Sequence, residues 1–327
     1  MKVQKITLSK VPVLLFVMAI VTISFLQSCK YDQKPKDKTE VEIEAVADRN
    51  VVEIVTETME FQMPDTIPSG WTTWRYHNKS NQTHFILIDD WPDDKDNIDT
   101  IRQKILKPIN DGMLLFDQGK VKEGQAEFGK LPAWLNQVKF PGGVGMISPG
   151  LTAETTMNLN PGKYYAECYI RMENGMMHHI MGMIKEFVIM GETSNLNEPT
   201  ADYAIDISTD KGMVWEPPTS AGTYTFLVKF VDQIEYSLET SIVGLDVHLV
   251  KYRNETDLVA LEKWVDFIEG MKEPAPEGLT FLGGVNDMPR GSRGYFKATL
   301  KPGKYALISE VPMASEKNLL KTFEIVK

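Results

Sequence analysis

Residues 71–76 divide by parity, with Trp71, Thr73 and Arg75 facing one way and Thr72, Trp74 and Tyr76 the other. That is the period of a strand. A polar turn at 78–82 follows, and a second apolar run starts at His84. Residues 51–59 and 155–159 read as further strands. In residues 161–190 a Pro161-Gly162 turn leads into a strand whose Tyr164, Ala166, Cys168 and Ile170 share the inward face. Glu167 and Arg171 fall on the opposite face. Asn174-Gly175 between two apolar runs predicts a hairpin tip, with the chain returning through His178, His179 and Met183. Helical spacing interrupts the strands twice. Ile98, Ile101, Ile105 and Leu106 predict an amphipathic helix that stops near Pro108, and Leu258, Leu261, Val265 and Ile268 predict another. Phe128, Leu131, Trp134 and Leu135 pack a further helix. Short strands with Gly, Pro and Asn turns predict an all-β fold of antiparallel sandwiches with short helical insertions.

The chain also resembles itself. Phe140-Pro-Gly-Gly-Val144 returns as Phe281-Leu-Gly-Gly-Val285, and Asn160-Pro-Gly-Lys-Tyr164 as Lys301-Pro-Gly-Lys-Tyr305, each 141 residues later. Two tandem domains are expected, at 46–190 and 201–327, with a polar linker at 191–200. By this alignment Ser309 replaces Cys168, and Asp246 stands opposite His84. Phe187 and Ile189 match Phe323 and Ile325 at an offset of 136, so the second copy lacks five residues of the hairpin that carries histidine and methionine.

The ends and the charge add the cellular setting. Lys2, Lys5 and Lys10 precede an apolar run that is too short for a spanning helix, and Leu26-Gln27-Ser28-Cys29 follows. This resembles a bacterial lipobox. It implies a lipoprotein signal peptide at 1–28, a lipid on Cys29, and a cell-envelope protein anchored to a membrane facing the periplasm or outer membrane. Residues 29–45 are charged and nearly free of aromatics, as in a flexible tether. The formal charge is −10, or −13 once the three leader lysines are removed. With no basic stripe, nucleic acid is excluded as a partner. A lipidated Cys29 leaves Cys168 without a disulfide partner in an oxidising compartment, so its thiol is expected to be buried, reactive or metal-bound.

A thiolate, an imidazole and a thioether at one hairpin end form a soft-metal constellation, for which copper is the natural ion. A lone inward cysteine is equally a small buried apolar group. Asn78 and His84, then Pro161-Gly162, Tyr164, Cys168, His178 and Met183, together resemble the cupredoxins, the β-sandwich blue-copper proteins. The resemblance covers the first copy in motif and the second in fold pattern alone. It implies two tandem Greek-key sandwiches and a type 1 copper in the first. His84 and His178 would be the imidazole ligands, Cys168 the thiolate and Met183 the axial thioether. His179 offers an alternative to His178. The implied role is electron transfer or copper handling with a redox or copper-delivery partner, and not an enzyme, because a second copper centre would need more histidines than His77, His179 and His248. The competing expectation is a metal-free interaction module of the envelope.

Overall fold

Alternating β-branched and aromatic positions build fifteen strands among the described residues, which in this computed structural model are 51–92, 94–95, 97–234 and 243–326. The expected leader, Cys29 and the tether lie outside the described residues. The first half contributes β1 (Val51–Thr56), β2 (Thr66–Asn78), β3 (His84–Asp89), β4 (Gly143–Ile147), β5 (Thr152–Leu159), β6 (Gly162–Glu167) and β7 (Ile184–Thr193). The second contributes β8 (Tyr203–Ser208), β9 (Gly212–Trp215), β10 (Gly222–Phe230), β11 (Val247–Tyr252), β12 (Thr280–Val285), β13 (Arg293–Leu300), β14 (Gly303–Ile308) and β15 (Leu320–Ile325). One layer runs β1-β2-β5-β13-β10-β8-β9, and the other β7-β6-β3-β4-β12-β11-β14-β15. β2 serves both layers. Its first residues lie parallel to β7, and the remainder pairs antiparallel with β5. The switch is at Gly70, whose φ of +86° favours a residue without a Cβ. There the buried parity slips from Ile67 and Ser69 to Thr72, Trp74 and Tyr76, so apolar side chains enter the interior on both stretches.

The pairing scheme of the first half recurs in the second. β1 lies parallel to β2 as β8 does to β10. Tyr164 faces Phe187, and Tyr305 faces Phe323. The halves are not strung side by side. β4 pairs with β12 and β5 with β13, so both layers continue across the junction. In these pairs Val144 faces Val285 and Thr155 faces Phe296, residues 141 positions apart. A local two-fold relation of this kind is self-complementary: each half offers the other the same two strands. The described residues accordingly form one compact unit.

The helices cover one face of the first half. α1 (Ile98–Ile101) runs through a wide turn at Arg102–Leu106 into α2 (Lys107–Asp117), which is followed by α3 (Val121–Phe128). Pro108 therefore does not end the helix. The five-residue turn before it relieves the need for a regular hydrogen bond at the proline nitrogen. Ile101, Ile105 and Leu106 are buried as their spacing predicts, together with Trp91, Leu135 and Tyr165. In the second half α5 (Glu255–Val265) is capped by Asn254 and ends before Ile268, which is exposed.

α2 and α3 touch through Gly112 and Gly124. A Cβ on Gly112 would stand 2.5 Å from the Phe128 ring, and one on Gly124 2.4 Å from the Phe116 ring. Those two rings stack at 5.5 Å. Alanine gains about 1 kcal/mol of helix propensity over glycine, but overpacking costs about 1–3 kcal/mol. Gly112→Ala is therefore expected to lower the chemical denaturation midpoint. An unchanged or raised midpoint would show that the helix pair has slack.

Candidate metal centre

β3 begins at His84, and the turn before it is held from two sides. Asn78, fully buried, donates through Nδ2 to the Gln82 and Ile147 carbonyls and accepts the Ser80 amide and hydroxyl on Oδ1. Cys168 follows the end of β6. Its N–H donates to the Met183 carbonyl at 3.2 Å, the His178 N–H donates to the Ile170 carbonyl, and the Met183 N–H to the His178 carbonyl. These three bonds fold the connection between β6 and β7 back on itself. His178 starts the single helical turn α4 (His178–Met181), which closes at Gly182 with φ +131°. From the helical side, Asn110 Oδ1 accepts the Met177 N–H at 3.0 Å.

The result is a convergence. His84 Nδ1 lies 3.9 Å and His178 Nδ1 3.6 Å from Cys168 Sγ, and the three atoms all fall within 4.8 Å of one another. The two rings sit 4.8 Å apart at 59°. Met183 is buried in the same apolar cluster as Cys168. All four side chains are shut off from solvent. Burial holds His84 down to about 3 and, with His84 and His179 beside it, His178 down to about 2, so both rings are neutral. Burial also pushes the Cys168 thiol well up.

A single ion fits this arrangement. Bonds of about 2.0 Å to nitrogen and about 2.3 Å to sulfur span up to about 4.3 Å, and both nitrogen-to-sulfur separations, 3.9 and 3.6 Å, lie inside that reach. A thiol proton, by contrast, can serve only one of the two rings. Both Nε2 atoms are buried without a hydrogen-bond partner. A neutral ring offers one donor and one acceptor, so whichever tautomer each adopts, both Nε2 atoms are left without a partner at a cost that two leucines would avoid. A donor set of two imidazoles, a thiolate and a thioether suits a soft or borderline transition metal rather than calcium or magnesium.

His179 points elsewhere, with Nδ1 2.8 Å from Glu167 Oε2. Glu167 and Arg171, expected on an outer face, are buried, because neither side of the hairpin meets solvent. Glu167 lies under the helices with His179, beside a cavity of about 50 Å³ that Trp91 and Phe267 also line. Arg171 meets the second half. It donates to the Ile268 and Gly270 carbonyls and pairs with Asp117, while its backbone bonds Met271 and Glu273. Glu273 in turn accepts the Thr83 N–H, one residue before His84, at 2.9 Å. One segment of the second half thus braces both strands that carry the centre.

The match of Asp246 to His84 is corrected by register. Leu87 faces Glu167 and His248 faces Ile308, so His248 stands where Leu87 does and Leu245 falls level with His84. A one-residue slip reverses every facing. Sequence reasoning missed what the acidic residues do there: Asp246, His248 and Glu310 form a second buried cluster. The Asp246-Val-His248 spacing, with both residues on one strand face, was the available signal. Trp74 and Trp91 are core residues, and Trp71 is partly exposed on the sheet.

Solved structures similar to this chain include a reduced auracyanin from Roseiflexus castenholzii. It is 19% identical over 43% of this chain and 97% of its own, with a TM-score of 0.27. Auracyanin A from Chloroflexus aurantiacus, described as a "blue" copper protein, is 18% identical over 43% of this chain and 98% of its own, also at 0.27. A copper-containing nitrite reductase from Thermus scotoductus is 12% identical over 84% of this chain and 61% of its own, at 0.21. No protein-family model and no curated protein matches the chain. The two-layer β-sandwich itself rests on the strand pairings described above.

Glu273→Ala leaves the buried Thr83 N–H unpaired, which costs about 1–3 kcal/mol, whereas Glu273→Gln keeps an oxygen for it. Denaturation midpoints of the two variants should separate, with alanine the lower. Equal midpoints would mean that this brace carries no load.

Proposed function

We propose that the first half binds one copper ion in a type 1-like centre formed by His84, Cys168, His178 and Met183, and that the protein transfers electrons or handles copper at the cell envelope. The observation that carries this reading is the approach of two imidazole Nδ1 atoms to one buried sulfur. Copper bound there would supply one-electron cycling between Cu(II) and Cu(I). The chain's contribution is to hold the donors still. Asn78 fixes the turn before His84, Glu273 holds the amide of Thr83, and Asn110 fixes the entry to α4. Burial keeps both rings neutral and ready to donate, and excludes water from the sulfur.

The role is that of a carrier rather than an enzyme. The other described histidines are engaged elsewhere: His77 with Glu53 and Thr152, His179 with Glu167, and His248 with its two acids. A lipid on Cys29 would place the protein at a membrane, where a redox or copper-delivery protein would be the partner. Among the described residues no helix is long and apolar enough to cross a membrane.

Adding Cu(II) to the purified protein should produce an intense thiolate-to-copper charge-transfer band, and Cys168→Ser should abolish it. Near neutral pH the binding should release close to one proton per copper. The raised thiol still carries its proton, while the two depressed histidines have none to lose. Calorimetry in buffers of different ionisation enthalpy reads that number. Absence of copper binding by the reduced, folded protein would favour a metal-free interaction module, and a band that survives Cys168→Ser would displace the ligand assignment.

A further inference from the structure

The second half buries charge without an opposite partner. His248 Nε2 stands 3.1 Å from Asp246 Oδ2 and 3.0 Å from Glu310 Oε1, and all three residues are buried. Asp287 adds a third buried carboxylate, held by Gln233 Nε2 at 2.7 Å. No lysine or arginine pairs with these acids among the described residues. A cluster of this charge needs protons or a cation to exist in a dry interior.

The imidazole decides between the two. Met146 donates its N–H to His248 Nδ1 at 3.1 Å, so the Nδ1 lone pair is occupied and the ring proton sits on Nε2. A metal on Nε2 would move that proton to Nδ1 and set two donors face to face. The carboxylates pull His248 upward against burial, but charging the ring would cost the same backbone bond. The cluster therefore holds protons, with one imidazole N–H between two carboxylates.

Its position relative to the metal centre is specific. Tyr169, the residue after Cys168, donates its hydroxyl to Glu310 Oε2 at 2.6 Å. Its ring packs on Phe85, the residue after His84, at 4.6 Å, and on Phe267 at 5.3 Å. Tyr169 and Glu310 are themselves 141 positions apart, so they occupy equivalent places and meet across the local two-fold relation. We propose that Asp246, His248 and Glu310 form a proton-binding site whose occupancy is coupled, through Tyr169, to the charge on the metal centre, an inference that rests on the copper reading above.

The groups facing Glu310 are Asp246 and His248 beside it, Asp287 from the loop after β12, and Tyr169 and Cys168 from the first half. Burial, then Asp246, lifts Glu310 above the usual carboxylate range, and burial lifts Asp287 well above it. Of these acids Glu310 is the one that hydrogen-bonds Tyr169, so it is the one whose proton the metal centre can sense. Its charge already reaches the sulfur: after burial, the carboxylates of Glu167 and Glu310 both help to raise the Cys168 thiol. Reduction of a bound Cu(II) to Cu(I) by an external one-electron donor would make the centre more negative by one charge. Glu310 then takes one proton from solvent, forming an O–H bond, while Tyr169 stays a phenol. Uptake on reduction means that the potential falls as pH rises.

The test is the midpoint potential of the copper-loaded full chain from about pH 5 to about pH 9, which brackets a carboxyl titrating near neutrality. The expected slope near neutral pH approaches a tenfold change per pH unit, about 59 mV for a one-electron couple. Glu310→Gln should flatten it with the charge-transfer band intact. Tyr169→Phe removes a donor that favours the carboxylate, so the sloping region should move to higher pH. A flat wild-type profile, a slope that survives Glu310→Gln, or a region unmoved by Tyr169→Phe overturns the coupling. Absence of the charge-transfer band overturns the copper reading and the coupling with it. In the metal-free protein, nitrogen NMR should find His248 neutral with its proton on Nε2, and carbon NMR should find Glu310 titrating near neutrality. An imidazolium at neutral pH overturns the proton site itself.

Discussion

The backbone pairing of β4 with β12 and of β5 with β13 is the constraint from which the rest of the molecule follows. Each half alone would leave two strand edges bare, with unpaired amides and carbonyls inviting association. Joined across a local two-fold relation, each half closes the other's edges. Tyr169 then meets Glu310, and the segment carrying Glu273 lies against the turn before His84. A second half without the candidate ligands is in this sense part of the centre, because it fixes the backbone on which two donors stand.

The centre concentrates costs that the surrounding fold sustains. Two neutral imidazoles and a protonated thiol are buried together, and both Nε2 atoms lack a partner. Burying such groups is unfavourable unless something binds them. A soft metal would exchange the thiol proton for a bond and give both lone pairs a partner. The same closure keeps water and foreign ligands from the sulfur.

The halves divide two chemistries that need opposite surroundings. In the first, the imidazole nitrogens turn to sulfur and are free of competing donors. In the second, a backbone N–H occupies the imidazole Nδ1, and carboxylates face its other nitrogen. The local scaffold is the same, yet one site is poised for a metal and the other for protons. What differs is the side chains, a longer helical insertion after β3, and a connection five residues longer between β6 and β7.

Much of this was determined by local sequence. Period-two alternation gave the strands, the Pro-Gly-Lys-Tyr repeats gave the offset that strand register reproduces, and the spacing of Cys168, His178 and Met183 marked the hairpin. These are short-range properties, set by φ/ψ preferences and by the alternation of side chains along a strand. Tertiary structure decided the rest. It put His178 rather than His179 against the sulfur, because α4 turns successive side chains about a quarter circle apart. It carried Pro108 through a wide helical turn, buried Arg171 and Glu167 on a face read as outer, and moved His248 into register with Leu87. Above all it paired the two halves strand to strand, a contact on which the sequence is silent. Edge pairing depends on groups that every residue carries, and so leaves no mark in the side chains.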